Sequence, residues 1–257
     1  LKQWQAVLRV IKVDLSYFFR TKWLIVTLVT LNLSDMLVVG AVYTNMMNFD
    51  YFVFYVPGVI IAAMFAAALD VGRRVHLGLS EGVTQYYLSL PISLESLALA
   101  HILSAGLGGL IYSGILLVVA LAIVPKLISF STLIMIPFMF LVSMGLGGIA
   151  AIINLFSGGG DRFWAFAEGI QMIFLGMSTV FYPISVIQSF FPGYLMSIIL
   201  LNPLSQITNA LRSAISPVPA ITLFSLGQIA VTSFLMLAMG FLCYRYVFIK
   251  VKNQGKI

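Results

Sequence analysis

The sequence predicts an all-α integral membrane protein: six transmembrane helices, an N-terminal interfacial amphipathic helix, and an outer re-entrant hairpin between spans five and six. Three observations predict it. Apolar runs of spanning length occur at roughly 24–44, 51–72, 96–124, 131–156, 166–189 and 219–248, against the ~20 residues needed to cross ~30 Å of hydrocarbon. The chain is 61% hydrophobic and only 9% charged, where soluble domains run near a quarter charged. The basic residues also sort by side. With the N-terminus inside, Lys2, Arg9, Lys12, Arg20, Lys22, Arg73, Arg74, Arg162, Arg245, Lys250, Lys252 and Lys256 fall on the inner face, and only Lys126 and Arg212 fall outside. Twelve of fourteen on one side places both termini in the cytoplasm by the positive-inside rule.

Six spans use most of the 257 residues, so the chain reads as a single transmembrane domain over 1–257. It comprises an interfacial helix at 1–22, the spans within 24–248 and a cytoplasmic tail at 249–257. The net charge of +6 flanks spans, so it signals topology and contacts to anionic membrane lipid rather than to nucleic acid. Cys243 stands alone and can form no intrachain disulfide. The chain begins at Leu1, so an initiator Met or short leader is expected upstream. Residues 1–22 are charged and lack the apolar core of a cleavable signal.

Each element has its own rationale. Leu1, Trp4, Leu8, Ile11, Leu15 and Phe18 alternate spacings of three and four, which predicts an apolar stripe on a helix over 1–22. Lys2, Arg9, Lys12 and Arg20 lie away from its centre, where they meet lipid headgroups. The largest inner loop, about 72–95, holds a short helix from Ser80 through Glu81, Gly82, Tyr86 and Tyr87 to Leu90, ended by Pro91. Ser80 can cap it and Glu81 suits its positive end. Ser93 then caps the third span. Such a helix is placed to push on a partner protein; otherwise it is an ordered loop.

Residues 190–218 remain apolar but are broken at Pro192-Gly193, Asn202-Pro203, Pro217 and Pro219. The piece at 194–201 makes only about 12 Å of helix and cannot span. Apolar backbone that enters a bilayer without crossing must be buried in protein or line a cavity, which predicts a re-entrant hairpin on the outer side.

Several strings imitate catalytic signatures. Gly145, Gly147, Gly148 and Ala150 match a dinucleotide fingerprint in letters only, because no strand precedes them. Ser143, Gly147 and Ala151, like Ala105, Gly109 and Ser113, form small-residue ridges for helix packing. The stretch from Phe156 to Asp161 resembles the signature motif of ABC ATPases, yet no phosphate-binding loop with Lys accompanies it. Its Gly-Asp ending also resembles that of intramembrane aspartyl proteases, without the partner motif. His76 and His101 are isolated, and two lone histidines are ordinarily polar contacts rather than metal ligands. Asn154, Gln171 and Gln228 need only interhelical hydrogen bonds.

Asp35 differs. It falls near the middle of the first run beside Asn32 and Ser34, where a carboxylate costs ~2.5–3.5 kcal/mol on insertion scales. Two roles follow: lining a substrate path, or stabilising packing between spans or subunits.

Taken in order, these features resemble the membrane (permease) subunit of a type-2 ABC exporter. An amphipathic helix precedes six spans. The stretch from Glu81-Gly82 through Leu88, Ser89, Leu90, Pro91, Ile92 and Ser93 is similar to the family's coupling helix and following turn. Tyr182-Pro183-Ile184, Phe191-Pro192-Gly193, Leu201-Asn202-Pro203-Leu204 and Arg212 are similar to its fifth span and re-entrant outer segment. The resemblance covers most of the chain. It implies a plasma-membrane permease with cytoplasmic termini, dimerised around a central path, with a second copy of this chain as the expected mate. It implies no catalysis and no cofactor on this chain; ATP and Mg belong to a separate ABC ATPase subunit. Glu81, Gly82, Tyr86, Tyr87 and Pro91 would couple to that subunit. Asp35, Pro192, Gly193, Asn202, Pro203 and Arg212 would belong to the translocation path or outer gate. The sparse charge of the path favours an apolar or amphipathic cargo such as a drug or lipid. Lipid-linked polysaccharide is the alternative within the family. An ion-coupled secondary transporter using Asp35 is the alternative of another class.

Overall fold

The computed structural model describes residues 2–20, 22–46, 49–80, 92–157, 160–213, 215 and 222–253. Among them every regular element is a helix and no strand occurs: α1 (Lys2–Arg20), α2 (Lys22–Met46), α3 (Tyr51–Ser80), α4 (Leu94–Ile123), a 3-10 turn (Pro125–Leu127), α5 (Phe130–Ser157), α6 (Gly160–Gly176), α7 (Ile184–Phe190), α8 (Gly193–Leu201), α9 (Pro203–Ser213) and α10 (Leu223–Asn253). Among the described residues four stretches are long and apolar enough to cross a membrane: Tyr51–Arg73, Glu95–Ile123, Phe130–Ser157 and Leu223–Lys250. They coincide with the second, third, fourth and sixth predicted runs, as expected of a multi-pass membrane protein.

The apolar runs decide which helices sit inside. α3 carries Val56, Ile60, Ile61, Met64 and Phe65 fully buried, and α5 contributes Met135, Val142 and Leu146. These two helices form the middle of the bundle. α4 packs on both, α2 on α3, and α10 on α5. Burial of this kind stabilises by about 1.5–3 kcal/mol per large side chain in water. Between helices already in lipid, close packing of small residues takes over that role.

Those small residues lie where the two sequence ridges place them. A Cβ at Gly109 would overlap Ser143 Oγ, and one at Gly147 would overlap the Cβ of Ala105. Ser143 Oγ also donates to Ala105 O at 3.3 Å across the same crossing. The second close crossing, α5 on α10, was not read from the sequence: Gly145 and Gly148 face Gly240 backbone to backbone.

Four expectations are modified. First, α1 has two apolar faces rather than one. Val7, Val10 and Ile11 are buried in one cluster with Leu97, Tyr244, Val247 and Phe248 at one end of the bundle. Trp4 and Leu8, from the predicted stripe, are each 61% exposed. At ~100° per residue the two faces are about a quarter turn apart, with Arg9 on the far side. The helix thus packs one apolar face on the bundle and leaves the other exposed. Second, α3 runs on to Ser80, so Ser80 ends that helix instead of opening another. Glu81, Gly82, Tyr86, Tyr87 and Pro91 lie outside the described residues. Third, the fifth run is not one helix: α6 stops at Gly176 and α7 starts only at Ile184. Fourth, the sixth helix starts at Leu223 and continues to Asn253, into the predicted tail.

Candidate functional site

The break between α6 and α7 is where polar chemistry concentrates. Ser178 starts it: its hydroxyl donates back to Leu175 O and accepts from Val180 N at 3.2 Å, local bonds that replace the helical ladder. Pro183 ends it, since proline lacks an N–H and drives the preceding residue out of helical conformation. Pro183 then stands as the extended N-cap of α7.

The loose backbone of this break is collected by side chains from α3, α9 and the α8–α9 junction. Asn202 Nδ2 donates to Phe174 O at 2.8 Å and to Met177 O at 2.9 Å. Its Oδ1 accepts from Leu204 N at 3.0 Å, capping α9 behind Pro203. Ser205 Oγ accepts from Thr179 N at 3.0 Å, and Thr179 Oγ1 donates to Asn209 Oδ1 at 3.0 Å. Tyr51 Oη donates to Phe181 O at 2.8 Å. Arg212 completes the set, with Nη1 on Thr179 O, Nη2 on Val180 O and Nε on Phe54 O at 3.0 Å. Five carbonyls at the end of α6 and in the break are thereby met by side chains. Irregular backbone inside an apolar structure is tolerated only under such satisfaction.

Arg212 is only 7% exposed, and among the described residues no carboxylate pairs with it. Its charge rests on three carbonyl dipoles and on the Phe54 ring, whose centroid lies 3.5 Å from the guanidinium carbon. A planar fork suits this fan of acceptors, as an ammonium would not. Gly58 makes the approach possible: a Cβ there would overlap Val180 O.

The site extends to Asp35 through aromatic rings. Tyr51 and Tyr55 stack at 5.5 Å, and Tyr55 lies 5.5 Å from Phe181. Tyr55 Oη donates to Asp35 Oδ2 at 2.9 Å. Asp35 itself is exposed on α2, so its carboxylate is held on one side by Tyr55 and exposed on the other. Thr27, Thr30 and Ser34 are exposed on the same helix, at spacings that make one polar stripe. On α6, Glu168 and Gln171 line a cavity of about 460 Å³ together with Phe181 and Tyr182.

The structure therefore joins Asn202, Pro203 and Arg212 in one network and connects Asp35 to it through Tyr55. Pro192 and Gly193 stand apart. Pro192 is the extended N-cap of α8, and its carbonyl accepts from Leu195 N at 3.0 Å. Gly193 has open space around a would-be Cβ.

Sequence reading missed Tyr51, Tyr55, Ser205, Asn209 and Glu168. Glu168 carried a signal, being a second carboxylate inside a predicted span. The others carried none, because tyrosine, serine and asparagine are common in apolar helices. Also missed were Asp14, which bonds His101 Nδ1 at 2.9 Å and Ser104 Oγ at 2.8 Å, and the Asp70–Arg73 pair at 3.2 Å. His101 is thus a polar contact that fixes α1 to α4. Among the described residues no three His, Cys, Asp or Glu converge as metal ligands, and the carbonyls of the break are met by amide, phenol and guanidinium donors. What it can do is hold an interrupted backbone rigid within an apolar bundle. Compared with models of known protein families and with curated proteins, the chain matches none.

Proposed function

We propose that this chain is the permease subunit of an ATP-driven ABC exporter of the type-2 class, moving an apolar or amphipathic cargo outward. In this reading α2 and α6 join the four longer helices as spans, both termini are cytoplasmic, and α7–α9 form the outer re-entrant segment. ATP and Mg are bound by a partner ATPase.

One observation carries the reading. α7, α8 and α9 are 7, 9 and 11 residues long, or about 10–17 Å each at 1.5 Å per residue. None of them can cross, yet they are tied to the bundle by Asn202 and Arg212 at the break in the fifth run. A segment that enters and returns needs such a fixture. The exposed polar stripe of α2 and the exposed Glu168 of α6 support a path bordered by these helices and completed by a second copy.

Coupling would run through residues 80–90, where Tyr86 and Tyr87 offer aromatic anchors and Glu81 a charge. Anchors of this kind cost ~2 kcal/mol or more when truncated. Pull-down of the tagged chain from its native membranes should recover an ATPase. Tyr86→Ala with Tyr87→Ala should lower that recovery without reducing membrane insertion. Equal recovery by the double variant would remove the coupling role.

The open face of Asp35 favours a second reading, an ion-coupled carrier in which Asp35 binds and releases the ion. Transport that is abolished by Asp35→Asn and indifferent to ATP depletion would select it.

A further inference from the structure

The two basic residues that the charge count leaves on the outer side, Lys126 and Arg212, are far apart in sequence. The fold brings them to one cavity of about 630 Å³. Its walls come from the α2–α3 loop and the start of α3 (Phe49, Phe52, Val53), from the end of α4 (Ile123), and from Ile215 just past α9. An apolar chamber of this size with a few charged groups has the character of a ligand site.

The charges are arranged asymmetrically. Lys126 is exposed at the 3-10 turn and makes no ion pair among the described residues. Arg212 forms part of the lining while its Nε, Nη1 and one Nη2 proton are used by Phe54, Thr179, Asn209 and Val180. Asp50 also lines the cavity, but its Oδ1 accepts from Val53 N at 3.1 Å and caps α3. The lining is therefore net positive by one, with an unpaired ammonium beside an apolar interior.

We propose that this cavity binds an amphiphile with an anionic head, the head at Lys126 and the tail along Phe49, Phe52, Val53 and Ile123, with the Arg212 charge in the cavity wall adding to the attraction. A resident membrane lipid and an anionic cargo share this chemistry.

The test uses the full chain, purified in a neutral detergent, with lysophosphatidylglycerol and lysophosphatidylcholine of the same acyl chain as probes. Wild type should bind the anionic probe more tightly. Lys126→Ala, at an exposed position, should reduce that preference about fivefold, as expected for one basic residue near a surface. Ile123→Trp, which fills the chamber from a 40% exposed position, should weaken both probes. An anionic lipid that co-purifies with wild type and is lost in Lys126→Ala identifies a resident lipid. Binding only of added probe identifies a transient ligand. Equal affinity for the two probes in wild type, or an unchanged preference in Lys126→Ala, overturns the proposal.

Discussion

Replacing Arg212 by lysine keeps the charge and removes the fork, so it isolates the geometry of the carbonyl clamp. Phe54 O lies within α3 and keeps its own ladder partner, so losing Nε there costs little. Thr179 O and Val180 O are different, since they lie outside any helix and only Arg212 is placed to serve both. One ammonium can follow one of them. The other is left buried and unmet, at about 1–3 kcal/mol, and contact with the Phe54 ring is weakened by about 0.5–2 kcal/mol. Arg212→Lys should therefore destabilise the protein by about 2–5 kcal/mol. Thermal unfolding of the detergent-purified chain would show this as an earlier transition. A cysteine placed at Thr179, buried in wild type, should become reactive to a small thiol reagent in the Arg212→Lys background, with Cys243 replaced by Ala. Unchanged unfolding together with an unreactive cysteine would refute the clamp.

Other outcomes follow from the same contacts. Gly58→Ala raises helix propensity in α3, yet its Cβ meets Val180 O, so stability should fall by about 1–3 kcal/mol; Gly193→Ala, with open space, should stay within about 0.5 kcal/mol, and thermal unfolding of both compares them directly. Asp14→Ala removes the acceptor shared by Ser104 and the partner of His101, at about 1–3 kcal/mol, and should be seen as faster proteolysis within residues 2–20. Single cysteines at 126 and 162, in a Cys243→Ala background, should react with an impermeant reagent in intact cells at 126 alone; labelling at 162 would reverse the orientation.

Much of the fold was legible because lipid imposes a one-dimensional rule. A run of apolar residues long enough to cross is visible without knowing its neighbours, and α3, α4, α5 and α10 follow the runs closely. The small-residue ridges at Ala105–Gly109 and Ser143–Gly147 were legible for a similar reason, since glycine at four-residue spacing serves close helix approach. The break at 177–183 was not. It exists because Ser178 and Pro183 disrupt the ladder while Asn202 and Arg212 donate to the freed carbonyls from a distance in sequence. No local signal announces such a partnership. The bundle-facing side of α1 was hidden by the larger, exposed side chains of Trp4 and Leu8, which dominate any periodicity. Asp35 was singled out by its cost in an apolar run, but Tyr55, which holds it, could not be inferred from α3 alone.

The central claim is that two copies of this chain work with a separate ATPase pair. Native mass spectrometry of the tagged chain released gently from its own membranes measures that most directly. The predicted result is a particle containing two copies of this chain and two copies of a nucleotide-binding protein. A particle holding this chain alone, in any copy number and at any detergent concentration that preserves its fold, would contradict the claim.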